Sequence, residues 1–401
     1  DPPLAGLYTT QKLTDFPLGD ELVQNSVYGL QRVTLTAPDG MFYAYPWDLE
    51  IMTIWSPVTG DYVEFRELDY DGAGINADAG WTKQYWDGGI AVLGETKHLL
   101  MPDYVRHFWM YDYVADTWEM IASPMIGGQG VYRGAVYSSV TGKYYSIPNK
   151  VGGDIWEIDT SAKTATQVYN NNSTGYGFST AAEGPDGKIY MFSNYQQNGP
   201  YFIQFDPTTG VVVPLVSPVN NTGMWDGIRF QIYSAAIYSA TSNTMIACPC
   251  NAMSFIKLDF NNVVGGLPAI SEVTQTLDTR TAADGVQQGK WHAMVLREDG
   301  RFQCCAAGKF ETNSGKTSRN AIYDPVTDTL IDDGPPTIGS SFNNLWLGGV
   351  MTTSGRIGSP IASTLLGSGS SSDRVFKNGM WDSFTPITTY DPNHPKYNYN
   401  N

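Results

Sequence analysis

Histidine is the side chain best suited to move protons near neutral pH. It occurs four times, as His98, His107, His292 and His394. His98 stands inside an apolar stretch and reads as a core histidine with satisfied ring nitrogens. His292, beside Trp291, is the best single candidate for a general acid or base. The chain has no Gly-x-Ser-x-Gly elbow, no His-Glu-x-x-His pair and no glycine loop shaped to cradle phosphate. Carboxylates are plentiful, so a pair able to cleave glycosidic bonds stays open. The segment Asp69-Tyr-Asp71-Gly-Ala-Gly-Ile-Asn76-Ala-Asp78 sets oxygen ligands among glycines, as calcium prefers, but lacks EF-hand spacing and its bidentate glutamate. Asp69, Asp71, Asn76 and Asp78 are therefore a calcium candidate, with a solvated acidic loop as the simpler reading. No other cofactor is suggested. The cysteines form two close pairs, Cys248/Cys250 and Cys304/Cys305, without histidines at zinc spacing. They are expected as reduced, buried thiols.

The wider composition narrows the partners. Against 24 Lys and Arg stand 40 Asp and Glu, a formal charge of −16, which repels phosphates and argues against nucleic acid. Only 16% of residues are charged and 13% are aromatic, so the chain has enough apolar surface to fold. With 42 Gly and 23 Pro, it does not read as a helix bundle. No apolar run approaches membrane-spanning length, so no membrane insertion is expected. No signal-peptide pattern is visible, and a start at Asp1 fits a processed, trimmed or mature secreted or virion chain.

The elements that must position any site come from a repeat. Each unit opens with an aromatic followed by small and apolar residues: Trp86-Asp-Gly-Gly-Ile, Tyr132-Arg-Gly-Ala-Val, Phe178-Ser-Thr-Ala-Ala, Tyr233-Ser-Ala-Ala-Ile and Trp291-His-Ala-Met-Val. A tight turn follows, marked by Gly40, Thr96, Gly142, Gly187, Asn243, Gly300 and Gly355, so seven units recur every 45 to 57 residues. Six positions later stands Pro46, Pro102, Pro148 or Pro249, which removes a ladder donor and must end a strand or occupy a bulge. Third strands then run into turns opened by Asp, as in Met110-Tyr-Asp-Tyr-Val-Ala-Asp, Phe205-Asp-Pro-Thr-Thr-Gly and Leu258-Asp-Phe-Asn-Asn. Fourth strands begin near Tyr62, Thr117 and Val211. Four short antiparallel strands at this period predict an all-β chain, a seven-bladed β-propeller of four-stranded antiparallel blades. The small residues of the first strands let them crowd around an axis. The last blade looks incomplete, so a strand from the N-terminal arm, Leu4–Lys12 or Leu22–Val27, is expected to help close the ring. Residues 1–27 then form an arm or closing strand, 28–390 the propeller, and 391–401 a C-terminal arm.

The run Tyr111-Asp-Tyr-Val-Ala-Asp-Thr-Trp118-Glu, followed by Tyr132-Arg-Gly-Ala-Val-Tyr, resembles the kelch-type propellers. Gly187-Lys-Ile-Tyr-Met is similar to the second kelch strand. The kelch Gly-Gly after that strand is replaced here by Pro-Asn, Pro-Asp or Pro-Cys. The resemblance implies a propeller fold and a tendency to bind partners, and no particular substrate. Copper-oxidase relatives of kelch propellers need Tyr and His ligands at set places, which four scattered histidines do not supply.

In such a fold the longer loops, between second and third strands and between blades, leave from one face around the axial mouth. Trp47, Asp103, Tyr104, Arg106, Asn149, Asn194 and Tyr195 follow the proline slot, whereas Trp81, Trp225 and Arg229 precede the next blade. With His292, these are the ligand-binding candidates. Their Trp, Tyr, Asn and Asp side chains suit stacking on sugar rings, hydrogen bonding to hydroxyls, or protein contact. The recurrent aromatics Trp86, Tyr132, Phe178, Tyr233 and Trp291 read as packing between blades. The expectation is a non-enzymatic recognition or scaffold propeller on a virion or extracellular surface. A phage structural or host-attachment protein, present in several copies or as a homo-oligomer, fits best. Its partners would be neighbouring proteins or a cell-surface glycan. The alternatives are a carbohydrate-active hydrolase or polysaccharide lyase with its site at the mouth, and a kelch-like adaptor.

Overall fold

The computed structural model describes residues 7–12, 33–46, 50–55, 62–79, 85–124, 132–149, 153–170, 177–193, 202–215, 232–250, 252, 254–274, 291–297, 299–306, 321–332, 350–351, 356–360 and 375–382. Strand β1 (Leu7–Lys12) comes first. The first sheet then holds β2 (Val33–Thr36), β3 (Phe42–Tyr45), β4 (Ile51–Trp55) and β5 (Tyr62–Glu67). Two short helical turns follow, α1 (Tyr70–Ala73) and α2 (Ile75–Ala79). The second sheet is β6 (Trp86–Ala91), β7 (Lys97–Pro102), β8 (Trp109–Asp112) and β9 (Thr117–Met120). The third is β10 (Tyr132–Ser138), β11 (Lys143–Pro148), β12 (Ile155–Asp159) and β13 (Thr164–Tyr169). The fourth is β14 (Phe178–Glu183), β15 (Ile189–Ser193), β16 (Phe202–Phe205) and β17 (Val212–Leu215). The fifth is β18 (Tyr233–Ser239), β19 (Thr244–Pro249), β20 (Ser254–Val264) and β21 (Leu267–Thr274). The sixth is β22 (Trp291–Leu296), β23 (Phe302–Ala306), β24 (Ala321–Asp324) and β25 (Thr329–Asp332). Finally β26 (Val350–Met351), β27 (Arg356–Pro360) and β28 (Val375–Asp382) form one sheet with β1, which pairs antiparallel to β28 from Leu7↔Met380 to Lys12↔Val375.

The chain is therefore all-β among the described residues, built of four-stranded antiparallel meanders. The N-terminal segment Leu7–Lys12 supplies the fourth strand of the last sheet, which realises one of the two expected donors. The C-terminal arm lies outside the described residues.

Turn chemistry explains the strand order. Gly40, Gly142, Gly187, Asn243 and Gly300 adopt φ between +52° and +80°, the left-handed region that closes the first hairpin of their sheets. In the second sheet that conformation falls on Gly94, φ 75°, rather than on Thr96, because a β-branched residue is strained there. The third-to-fourth turns are capped as the Asp residues foretell. Asp112 Oδ1 accepts from the Val114 and Ala115 amides, Asp159 from Ala162, Asp206 from Thr208, and Asp324 from Val326. One expected turn moves. The chain runs straight through Leu258-Asp-Phe-Asn-Asn, with a register shift between Asp259 and Val263, and reverses only at Gly265 and Gly266. Two consecutive glycines at positive φ make the later turn the easier one.

The core lies between neighbouring sheets. Trp86, fully buried, packs with Tyr43, Tyr45 and Met52 of the first sheet and Leu100, Trp109 and Tyr111 of its own. Tyr132 joins Phe108 and Met110 to Trp156 and Ile158. Phe178, Tyr233 and Trp291 repeat the arrangement one sheet further each time. The recurrent aromatics are thus the packing residues between sheets, as expected. First strands abut one another in chain order, β2 against β6, β6 against β10, β10 against β14, β14 against β18, and β18 against β22. Gly88 shows how closely: a Cβ there would stand 2.2 Å from the Arg133 carbonyl oxygen on the neighbouring strand.

Candidate functional site at the loop-bearing end of the first strands

First strands begin, and second strands finish, at the end of the sheets opposite the tight turns. Here Trp86 pairs with Pro102, Tyr132 with Pro148, Phe178 with Ser193, Tyr233 with Pro249 and Trp291 with Ala306. In all five sheets the register shifts immediately afterwards, so one residue of the first strand is extra. The proline, which has no N–H to give, is thus placed at a bulge, and a bulge re-aims the extra side chain.

The bulged residues are Asp87, Arg133, Ser179, Ser234 and His292. Three reach the next sheet. Asp87 Oδ1 accepts from Arg133 Nη1 at 2.9 Å. Ser234 Oγ donates to the Trp291 carbonyl at 2.7 Å, and Ser179 Oγ donates to the Tyr233 carbonyl. Asp87 is nearly sealed, with 2% of its side chain exposed, whereas Arg133 keeps 17%. Asp87 and Arg133 were not among the sequence candidates. The signal for them was present, because each immediately follows the aromatic that opens its unit. His292 holds the same backbone position in β22, and its side chain lies outside the described residues.

Around this row lie four more sequence candidates. Asp103 is buried, and its amide donates to the Tyr85 carbonyl at 2.9 Å. Asn149 is buried after β11, Tyr104 is half-buried and Arg106 is exposed. The structure therefore brings Asp103, Tyr104, Arg106, Asn149 and the His292 backbone to one end. Trp47, Trp81, Asn194, Tyr195, Trp225 and Arg229 lie outside the described residues.

The acidic segment after β5 is not an open loop but the two helical turns α1 and α2. Asp69 accepts from Gly72 N at 2.7 Å as the cap of α1. Asp71 Oδ1 accepts from Asn76 Nδ2 at 2.6 Å. Asn76 Oδ1 in turn lies 2.6 Å from the Tyr85 hydroxyl, which also stands 3.0 Å from Glu50 Oε1. Burial, reinforced by the Glu50 carboxylate, holds the Tyr85 phenol well above its ordinary pKa, so it remains a donor. Asp78 faces another way. Its Oδ2 accepts from the amides of Arg106 and His107, each at 3.1 Å, and from Trp109 Nε1 at 3.2 Å; its Oδ1 lies 2.7 Å from His107 Nδ1. Of the four calcium candidates, Asp69 thus caps α1, Asp71 and Asn76 bond to each other, and Asp78 faces the loop at Arg106 and His107. Among the described residues no three His, Cys, Asp or Glu are grouped to hold a metal ion.

Asp78 is a clamp on the loop that carries Asp103, Tyr104 and Arg106. Replacing it with alanine is expected to cost about 2 kcal/mol, the scale of hydrogen bonds to a charged acceptor. Hydrogen exchange at the Arg106 and His107 amides is then expected to accelerate at least tenfold, a figure following from that free energy. Unchanged exchange at those two amides would remove the clamp.

His98 is a core residue, as its sequence context predicts. It is fully buried, with Nε2 3.0 Å from the Thr36 carbonyl and Nδ1 2.7 Å from the Tyr45 hydroxyl. A carbonyl only accepts, so Nε2 carries the proton and Tyr45 donates to Nδ1. Cys248, Cys250 and Cys304 are buried and unbridged, in keeping with the expected thiols.

No family model and no curated protein matches the chain. Solved structures do. A streptogramin B lyase superposes with a TM-score of 0.60 at 10% identity, covering 95% of this chain and 100% of its own. Virginiamycin B lyase from Staphylococcus aureus gives 0.58 at 9% identity, covering 93% and 99%. The extracellular domain of a hybrid two-component system from B. thetaiotaomicron gives 0.57 at 10% identity, over 92% of this chain and 40% of that one. The expectation that the chain is not an enzyme is overturned by the first two, since proteins that share its fold along nearly the whole length are lyases. At such identities the likeness concerns the fold: the chain is β-propeller-like, with no described helix long and apolar enough to cross a membrane.

Proposed function

We propose that the chain is a closed, seven-bladed, kelch-like propeller that captures a glycan or protein of a host at its mouth, as a surface component of a phage virion or similar extracellular assembly. The observation that carries this is the Asp87–Arg133 pair, a charged group built across two adjacent first strands at the end from which the long loops leave. Closure is supported by β1 completing the last sheet and by β26 lying against both β2 and β22. Display outside cells is supported by the acidic, Gly- and Tyr-rich composition.

The test is binding of the purified full chain to an array of host-surface polysaccharides and to intact host cells. Saturable binding that Arg133→Gln weakens at least tenfold is expected, the loss of one desolvated charge-assisted contact. Absence of affinity for every polysaccharide and cell surface would overturn the reading.

A second reading, a carbohydrate-active hydrolase or polysaccharide lyase, is favoured by one observation: His292 occupies in β22 the bulge position that Asp87 and Arg133 occupy in β6 and β10. Incubation with the bound polysaccharides and assay of new reducing or unsaturated ends decides it. Release that disappears in His292→Ala establishes turnover, and intact polysaccharide after prolonged incubation excludes it.

A further inference from the structure

We infer that the ligand taken at the mouth carries a carboxylate, as an acidic saccharide does, and that Arg133 is its seat. This rests on the proposed mouth site and names its ligand class. The observation is how little of Arg133 the protein uses. Arg66 places Nε and Nη2 on Glu64 and Nη1 on the Tyr111 hydroxyl and the Tyr113 carbonyl. Arg301 sets Nε and Nη2 on Asp299, and Arg297 divides itself between Asp299 and Gln303. Arg133 makes a single contact, Nη1 to Asp87 Oδ1. A guanidinium has five N–H donors in a rigid fork. The Nε and Nη2 edge of Arg133 has no partner among the described residues, although 83% of the side chain is removed from solvent, the complement of its 17% exposure. A carboxylate is the group whose two oxygens match that edge.

Asp87 makes the arrangement a seat rather than a loose charge. Held at 2% side-chain exposure on the adjacent strand, it fixes the guanidinium from one side only. The hydroxyls at the next two bulges, Ser179 and Ser234, donate to backbone carbonyls and so keep lone pairs to accept from ligand hydroxyls. Charge on one side and hydroxyl acceptors on the other suit an acidic sugar better than an acidic peptide. In a chain of net charge −16, a cationic group at this end favours an anionic ligand there.

The experiment uses the full chain and a panel of uronate- and sialate-bearing oligosaccharides, each paired with its carboxyl-reduced counterpart. The acidic member of at least one pair is expected to bind tenfold or more tightly than its neutral counterpart, with affinity falling as salt is raised. Arg133→Gln is expected to erase that preference and Arg133→Lys to retain part of it, which covers the case in which the glutamine variant fails to fold. Asp87→Asn separates the seat from a structural latch. Release of the competing carboxylate is expected to leave acidic-ligand affinity equal or higher, whereas a mere latch predicts parallel losses in both variants. Equal affinity within every pair, or binding of neutral members alone, overturns the carboxylate seat and leaves the mouth reading standing. Binding of no member, acidic or neutral, here and on the wider array, overturns both.

Discussion

Acidification from pH 7 towards pH 4 is expected to strip about 3 kcal/mol from the stability of the fold through His98 alone, at 1.36 kcal/mol per unit of pKa difference. Burial pushes the His98 imidazole down from its ordinary 6.5 to about 4, with the Thr36 carbonyl opposing that shift only in part. The direction follows from proton counting. Between pH 6.5 and 4 the unfolded chain binds a proton at this site and the folded chain does not, so stability falls as pH falls. The contribution is fully present above about 6.5 and is gone below about 4, where both states are protonated. The geometry explains why the folded state resists. A second ring proton would face the Tyr45 hydroxyl, which already donates to Nδ1, with the rings of Tyr43 and Tyr113 against the imidazole and Tyr111 against Tyr45. Denaturant titrations at pH 7, 5.5 and 4.5 measure the effect. His98→Gln, which offers one acceptor and one donor without titrating, is expected to flatten the slope between pH 6.5 and 4.5 while lowering stability at pH 7. A variant as acid-sensitive as the parent over that interval would assign the slope to other groups.

Gly88→Ala is expected to be among the most damaging single methyl additions in the chain. The new carbon would lie 2.2 Å from the Arg133 carbonyl oxygen and 2.7 Å from the Gly134 Cα, both backbone atoms of an adjoining strand that cannot rotate away. Separating β6 from β10 also disturbs the Asp87–Arg133 contact, so a loss of about 3 kcal/mol or more is expected, the upper range for overpacking. Gly134→Ala is the control, because its Cβ would meet only Ile147 Cδ1 at 3.6 Å, ordinary contact with a flexible side chain. Its effect is expected within about 0.5 kcal/mol, as for substitutions that touch no special feature. Urea midpoints of the two variants decide the matter, and equal midpoints would show that the first strands are free to move apart.

Much of the architecture was legible in the residues because it depends on local physics. The aromatic-small-small openings of five sheets, the glycine or asparagine at the first tight turns and the Asp that caps the third-to-fourth turn in four sheets act within a few positions of themselves. The mapped strands follow them through six sheets. Misreadings arose where local signals competed. Thr96 stood in the expected turn slot, but Gly94 tolerates the left-handed conformation. Asp259 looked like a turn opener, but Gly265 and Gly266 close the hairpin at less steric cost. The acidic run of residues 69–78 read as a solvated loop with a calcium candidate in it, whereas it forms two helical turns, since composition does not reveal that Asp78 would meet amides 28 and 29 positions later.

The sequence by itself determined the repeat, the strand order, the turns and the aromatic identity of the packing between sheets. Each is written in a short window where side-chain size, β-branching or a capping carboxylate acts directly on the backbone. Only the tertiary structure decided that β1 completes a sheet with strands more than 300 residues away, that Asp87 meets Arg133 across 46 positions, and that Asp78 fastens the loop bearing Asp103 and Arg106. The Asp87–Arg133 contact follows from how bulged first strands converge, and in all three cases no short stretch of chain contains the information that sets two distant segments side by side.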